Sequence, residues 1–286
     1  MEYNAIDLFA GCGGLSLGLS RAGFDILYMN EINKTASETY RKNLVENREH
    51  NTFIDTRSII DVSTKEIKKL TKNKKIHLVA GGPPCQGFSM AGRRDINDKR
   101  NVLFKEMLRV VKDIRPPLFL LENVKGILSM NNGKVIQTIK KAFEDLDYDV
   151  KIEVLKASNY GVPQDRERVF VIGTLIGNGV LHPTPDTDLP VTLKDAISDL
   201  EFLNAGKMIE EYILPPQSEY QKLMRKDSTK LVNHEAPKHS PRVIRRFSLL
   251  KEGQTGKDLS ERFITKNQVF KRLVGNNPAK TVTTLP

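Results

Sequence analysis

The strongest constraint on the fold is an alternation that runs through the first 175 residues. Short apolar runs of strand length are separated by stretches of about 10–15 residues with helical spacing. In one of these stretches, apolar residues stand at positions 103, 107, 108, 110, 111 and 114. This alternation predicts an α/β fold with a mostly parallel sheet and helices on both faces. The predicted strands are residues 5–9, 25–30, 76–80, 118–121, 150–155 and 168–174.

The character of the chain changes after Gly173. Residues 177–190 contain three prolines, periodicity is weak beyond them, and residues 222–280 are rich in Lys, Arg, Ser, Thr and Asn. We therefore expect two domains, a larger one over residues 1–178 and a smaller basic region over residues 179–286. The 45 Lys and Arg exceed the 35 Asp and Glu, which gives a net charge of +10 and suits a polyanionic partner.

Composition excludes several classes of protein. Apolar residues make up 39% of the chain and charged residues 28%, which is typical of a globular protein. No apolar run reaches the ~18 residues that a membrane helix needs, and no basic leader precedes the first strand. Cys12 and Cys85 are too few for a disulfide framework, and His234 and His239 lack cysteine partners for zinc. We expect no metal site and a cytoplasmic protein with reduced thiols.

A glycine-rich loop follows the first predicted strand. Residues 7–15 read Asp-Leu-Phe-Ala-Gly-Cys-Gly-Gly-Leu and lead into a helix, so the backbone can approach a ligand there. Glu31 stands about 20 residues further on, at the end of the second strand, where an acidic residue can hold ribose hydroxyls. The alternatives are a tight turn without a ligand and a helix-terminal acid with nothing bound.

A second loop carries the most specific pattern. Residues 81–89 read Gly-Gly-Pro-Pro-Cys-Gln-Gly-Phe-Ser and follow a predicted strand, so Cys85 should lie at the carboxyl edge of the sheet. Two prolines stiffen this segment, and a cysteine exposed in this way can act as a nucleophile. The alternative for a lone cysteine is an ordinary loop thiol, which is the interpretation we give to Cys12.

Two charged segments belong to the same predicted edge. Glu122 ends the strand after the cysteine loop, where burial would suit a carboxyl group for acid catalysis. Arg166 and Arg168 precede the last predicted strand, and their guanidinium groups stay charged and donate in a fixed fork. The alternatives are a solvated glutamate and an ordinary charged turn.

These segments, in this order, resemble the DNA cytosine 5-methyltransferases that use S-adenosylmethionine. The likeness is dense over residues 5–174 and loose over residues 175–286. It implies a Rossmann-like sheet, double-stranded DNA as the partner, a restriction–modification setting and a target-recognition role for residues 179–286. The segments that carry it are residues 7–15, 83–86, 122–124 and 164–168.

The resemblance also implies roles for individual residues. Cys85 would add to carbon 6 of a flipped cytosine, and Glu122 would act as the acid at the Watson–Crick edge of the base. Arg166 and Arg168 would orient the base and the catalytic loop. The cofactor would be bound by Phe9, Gly11, Gly13, Glu31, Pro84 and Leu103.

The chain departs from the family pattern in two places. The family usually places an aspartate in a Gly-Asp-Ile segment against the cofactor adenine, whereas residues 57–61 here read Arg-Ser-Ile-Ile-Asp. Either Ser58 or Asp61 would take that place. Nothing after residue 284 matches the segments that complete the family's cofactor pocket. A truncated chain, or half of a split enzyme whose second chain supplies the rest, would explain this.

Three alternative functions remain open at this point. A related enzyme could act on RNA cytosine, although the long basic region favours DNA. A chain that lacks the final segments could bind DNA without transferring a methyl group. A nicotinamide-dependent oxidoreductase could share such a sheet, but the Pro-Pro-Cys-Gln segment would then have no role.

Overall fold

The computed structural model describes residues 3–46, 51–84, 102–177, 179, 183–185, 190–200, 202–259 and 270–282. The chain divides into two compact units. The first unit comprises Met1–Leu155 and Arg168–Pro183, and the second comprises Lys156–Glu167 and Thr184–Pro286. The second unit therefore takes a short segment from within the first part of the chain, as well as the C-terminal part.

Strands and helices alternate through the first unit, and short elements follow in the second. The strands of the described residues are β1 Tyr3–Leu8, β2 Phe24–Asn30, β3 Phe53–Asp55, β4 Leu78–Gly81, β5 Leu118–Val124, β6 Asp149–Lys156, β7 Gln164–Asp165, β8 Glu167–Thr174 and β9 Ala279–Lys280. The α-helices of the same residues are α1 Gly14–Arg21, α2 Lys34–Tyr40, α3 Thr64–Leu70, α4 Val102–Ile114, α5 Lys134–Glu144, α6 Leu193–Ile197, α7 Glu219–Arg225 and α8 Pro241–Leu249.

The first unit is built on a seven-stranded sheet in the order β3-β2-β1-β4-β5-β8-β6. The pairs β2–β3, β1–β2, β1–β4 and β4–β5 are parallel, and β8 runs antiparallel to β5. The predicted mostly parallel α/β sheet is thus confirmed. Because β4 and β5 are parallel neighbours, the loops that follow them leave the same edge of the sheet.

Alternate side chains of the central strands enter cores on opposite faces of the sheet. Ile6 and Leu8 of β1 belong to the largest apolar cluster, together with Val110 of α4. Ala5, which directly precedes Ile6, packs in a second cluster with Leu19 of α1. Successive residues of a strand point to opposite faces, so α4 and α1 cover different sides of the sheet. This explains why β1 is almost continuously buried.

A glycine allows the closest packing between the antiparallel strands. Gly173 of β8 is paired with Phe119 of β5, and a Cβ atom at Gly173 would lie 2.0 Å from the Phe119 ring. Phe119 is fully buried and stacks on Phe143 of α5. Only glycine leaves room for this ring, so the join between β5 and β8 depends on it.

The local structure differs from the sequence prediction at two places in the first unit. The helix predicted over residues 34–47 is α-helical only to Tyr40 and continues as a π-helical segment, Arg41–Glu46. Asn33 caps its start by accepting a hydrogen bond from the Ala36 N–H at 3.0 Å. The three-residue strand β3 was not predicted, because so short a run carries no period.

The described residues of the second unit contain short helices and a pair of two-residue strands, β7 and β9, which are parallel. Thr192 and Asp195 form a capping box at the start of α6. Arg225 of α7 forms an ion pair with Asp199 at 2.7 Å and lies over the Tyr212 ring. Among the residues that the structure describes, no helix is long and apolar enough to cross a membrane.

Candidate active site

The glycine-rich loop between β1 and α1 is shaped by residues in left-handed conformations. Phe9 has φ 59°, Gly11 φ 55° and Gly13 φ 91°. A Cβ atom at Gly13 would lie 2.5 Å from Leu44 Cδ1 and 2.6 Å from Tyr40 Cδ2, so this position admits only glycine. Gly13 thereby lets α1 start close to the helix that follows β2.

Glu31 is joined directly to the glycine-rich loop. Its Oε2 accepts a hydrogen bond from the Gly11 N–H at 2.9 Å, and its Oε1 accepts one from the Asn33 N–H at 2.7 Å. No atom lies within 4 Å of the Cβ positions of Gly11 or Gly14, so the space beside the loop is open. The structure therefore brings together the loop and the acidic residue that the sequence predicts as partners.

A chain of hydrogen bonds between buried polar side chains connects β1, α1 and α2 beside this loop. Asp7 is completely buried and accepts a hydrogen bond from Ser16 Oγ at 2.6 Å, and Ser16 accepts one from Tyr40 Oη at 3.0 Å. The other carboxylate oxygen of Asp7 has no partner in the described residues. Burial raises the pKa of Asp7 to about 7. The sequence analysis missed this role, although an aspartate inside an apolar strand was its signal.

Ser58 and Asp61 lie on a short 3₁₀ turn after β3, and the structure gives their side chains different tasks. The Ser58 hydroxyl accepts a hydrogen bond from the Ile60 N–H at 3.4 Å and so caps the turn. Asp61 is exposed, and its carboxylate has no hydrogen-bond partner among the described residues. Within the described part of the chain, Asp61 is thus the one of these two residues whose side-chain oxygens accept no hydrogen bond.

The end of β4 is fastened to the end of β5 by a buried asparagine. Asn123 donates from Nδ2 to the Pro83 carbonyl at 2.9 Å and accepts from the Val124 N–H at 2.8 Å. A Cβ atom at Gly82 would lie 3.2 Å from Glu122 Oε2, so the glutamate side chain lies against the same segment. The base of the cysteine loop is thus held at the carboxyl edge of the sheet. The sequence analysis gave Asn123 no task of its own.

Glu122 and Arg168 form an ion pair at this edge. Arg168 Nε lies 2.9 Å from Glu122 Oε1, and the two side chains are 20% and 29% exposed, respectively. Glu122 is therefore partly buried, and its carboxylate is held by a guanidinium group. The pairing of Arg168 with Val124 places the arginine beside the end of β5.

The remaining predicted site residues fall in different places. Arg166 belongs to the second unit, where its carbonyl accepts a hydrogen bond from the Ala157 N–H at 2.8 Å. Pro84 is exposed at the end of the segment after β4, and Leu103 is half-buried on α4. Cys85 lies outside the described residues. Within those residues, no group of three or more His, Cys, Asp or Glu could hold a metal ion.

A mostly parallel sheet with a glycine-rich loop and an acidic residue at its carboxyl edge is the arrangement of a Rossmann-like α/β fold that binds a nucleoside cofactor. The sequence profile of the C-5 cytosine-specific DNA methylases matches residues 3–282. The chain belongs to this family, and the resemblance found in the motifs is confirmed.

Individual relatives agree with this assignment. The Type II methyltransferase M.DdeI of Desulfomicrobium norvegicum is 39% identical over 270 residues, which cover 90% of this chain and 63% of the relative. M1.HphI of Haemophilus parahaemolyticus is 37% identical over 264 residues, or 91% of this chain and 64% of that protein. The chain thus spans less than two thirds of the length of these relatives.

A solved structure matches almost the entire chain. It is described as a DNA modification methyltransferase encoded within a prophage of E. coli, and it is similar with a TM-score of 0.77 and 28% sequence identity. The alignment covers 98% of this chain and 82% of that protein. The nicotinamide-dependent alternative is therefore discarded.

Proposed function

We propose that this chain transfers a methyl group from S-adenosylmethionine to carbon 5 of a cytosine in double-stranded DNA, as part of a restriction–modification system. The observation that carries the proposal is the Glu122–Arg168 ion pair beside the fastened base of the cysteine loop. An acid and a guanidinium group at the start of this loop are the groups that a cytosine ring needs along its polar edge. Family membership supports the same reaction.

The space around the glycine-rich loop supports a nucleoside cofactor. Glu31 already accepts two backbone hydrogen bonds, but each carboxylate oxygen retains a lone pair for a ribose hydroxyl. Gly11 leaves room for the ligand beside these oxygens. Phe9 would pack against the ligand, and Gly13 would keep the loop in shape. S-adenosylmethionine, when bound there, supplies an electrophilic methyl group.

In this proposal the target base leaves the duplex, because carbon 5 is out of reach inside the stack. The Cys85 thiolate adds to carbon 6 and makes carbon 5 nucleophilic. Glu122, as the acid, offers a proton to ring N3 and so stabilises the negative charge that develops there, while Arg168 fixes the glutamate and Arg166 orients the catalytic loop. After methyl transfer, loss of the carbon 5 proton and of the thiolate restores the aromatic ring. Pro84 and Leu103 would line the cofactor side of this pocket.

The basic region over residues 179–286, most of which lies in the second unit, is the candidate for target recognition. A strongly basic stretch there would contact DNA phosphates, and Asn and Gln side chains could read base edges. The basic residues are Lys238, Arg242, Arg245, Arg246, Lys251, Lys257, Arg262, Lys266, Lys271 and Arg272.

Transfer of labelled methyl from S-adenosylmethionine to mixed-sequence duplex DNA tests the proposal. We expect label on carbon 5 of cytosine with the native chain and none with Cys85→Ser. Cys12→Ser is the matched control and should retain transfer. Label on transfer RNA but not on duplex DNA would contradict DNA as the substrate. DNA binding without methyl transfer would indicate a non-catalytic binding module. Transfer only after addition of a candidate second chain would identify a split enzyme.

A further inference from the structure

Arg109 of α4 is hydrogen-bonded to both ends of the turn formed by residues 58–62. Its Nη2 donates to the Val62 carbonyl at 2.9 Å and to the Ile59 carbonyl at 3.3 Å. Its Nη1 donates to Thr64 Oγ1 at 2.7 Å. One guanidinium group therefore bridges the turn and the first residue of α3 from a helix more than 40 residues away in sequence.

The guanidinium group is itself held in one orientation. Glu106, one turn earlier on α4, accepts from Arg109 Nε at 2.8 Å and lies 2.6 Å from Nη2. The two side chains are 16% and 30% exposed, respectively. The planar guanidinium group of Arg109 is already held by Glu106. It therefore loses little conformational freedom when it donates to the backbone oxygens, and it can support the turn rigidly. Thr64 is also fixed, because its hydroxyl donates to Asp113 Oδ2 at 2.7 Å.

The turn needs such a support because it has few hydrogen bonds of its own. The Asp61 N–H donates to the Ser58 carbonyl at 2.9 Å, and the Val62 N–H donates to the Ile59 carbonyl at 3.3 Å. A 3₁₀ turn of three residues is weak when isolated. Ile59 and Val62 bury their side chains in the core, whereas Asp61 projects from the exposed side.

We infer that Arg109 is a positioning residue for the adenine end of the cofactor site. It fixes the main chain of residues 58–62 so that the Asp61 carboxylate, or the Ser58 hydroxyl, faces the adenine amino group. This inference rests on the proposed function, because it concerns the same cofactor. Arg109 touches neither the cofactor nor the target base in this view, and it acts only through the turn.

The demethylated product of the cofactor and one analogue of that product test this role. S-adenosylhomocysteine carries the adenine amino group, and S-inosylhomocysteine carries a carbonyl in its place. Calorimetry gives both dissociation constants, and their ratio measures discrimination at the turn. We expect the native chain to prefer S-adenosylhomocysteine and Arg109→Gln to reduce the preference by about tenfold, which corresponds to one well-placed hydrogen bond. Lys112→Gln, an exposed change on the same helix, should leave the ratio as it is.

A purely structural role would lower the melting temperature and leave the ratio of the two constants unchanged, and that result would overturn the inference. Equal binding of both analogues by the native chain would also overturn it. If Arg109→Gln does not fold, Thr64→Val removes the hydroxyl that bonds to Arg109 and Asp113 without a change of shape, and it should reduce the ratio by about threefold. An unchanged ratio in folded Thr64→Val would then refute the role. A native chain that binds neither analogue would contradict the proposed function instead.

Discussion

Arg168 Nε lies 2.9 Å from Glu122 Oε1 across the junction of β5 and β8. The reversed direction of β8 makes this contact possible, since it brings the first residues of β8 next to the last residues of β5. A parallel strand in the same place would bring its amino end to the opposite edge. The antiparallel pairing of β5 and β8 thus places a cation at the proposed catalytic edge.

Loss of either partner in this pair should slow methyl transfer more than it weakens cofactor binding. Glu122→Gln removes the acid that offers a proton to ring N3, and Arg168→Gln leaves the glutamate without its fixed orientation. We expect single-turnover rates to fall by about 100-fold for each variant, with a smaller further loss in the double variant because the residues act together. Lys151→Gln, an exposed change on β6, should retain the native rate. Independent, additive losses would contradict a coupled pair.

Asn123 should be needed for the geometry of the cysteine loop. Replacement by alanine leaves the Pro83 carbonyl and the Val124 N–H without their buried partner, which costs about 1–3 kcal/mol. We expect kcat to decrease while the dissociation constant of the cofactor changes little. Chemical denaturation and steady-state kinetics measure the two effects. Ser129→Ala, which removes one exposed hydrogen bond to Gly126, is the control. A native kcat in Asn123→Ala would show that the fastening is dispensable.

Gly13 should tolerate no side chain, whereas Gly18 should. A methyl group at Gly13 would overlap Leu44 and Tyr40 and would occupy an unfavourable φ of 91°, so we expect Gly13→Ala to destabilise the chain by about 2 kcal/mol or more. Gly18 lies inside α1 with open space around it, and Gly18→Ala should stabilise by about 0.5–1 kcal/mol. Urea denaturation of both variants checks this contrast. Equal effects would disprove the packing argument.

Asp7 should make stability depend on pH between about pH 4 and pH 7. Its pKa is raised from 3.8 to about 7 by burial, so the folded chain favours the protonated acid. The contribution of Asp7 to the free energy of unfolding should therefore be greatest below pH 4, fall as the pH rises towards 7, and level off above it. The total change is about 4 kcal/mol. In Asp7→Asn this contribution should vanish. Urea denaturation from pH 4 to pH 8 measures both slopes, and identical slopes would exclude Asp7 as the cause.

The sequence predicted most of the first unit because its strands are long enough to show a period. The edge that carries Glu31, Glu122 and the cysteine loop followed from the order of strands and loops. The direction of each strand could not be predicted in this way, because a buried run such as residues 168–174 has the same apolar pattern in either direction. Tertiary hydrogen bonds of Asn123 and Arg109 were also invisible, since their partners lie 40 or more residues away.

The second unit was harder to predict because its helices bury little. α8 spans nine residues and none of them is buried. Contact with a core therefore does not impose an apolar pattern on its sequence. The short strands β7 and β9 have two residues each, which is below the length at which alternation can be recognised.

The way the chain crosses between its units limits how they can be exchanged. It passes from one unit to the other after Leu155, after Glu167 and after Pro183. β7, from the first excursion, pairs with β9 near the end of the described chain. If residues 184–286 were transplanted into a relative, β9 would be separated from its strand partner β7. Moving the second unit would therefore require residues 156–167 together with residues 184–286, as two separate pieces.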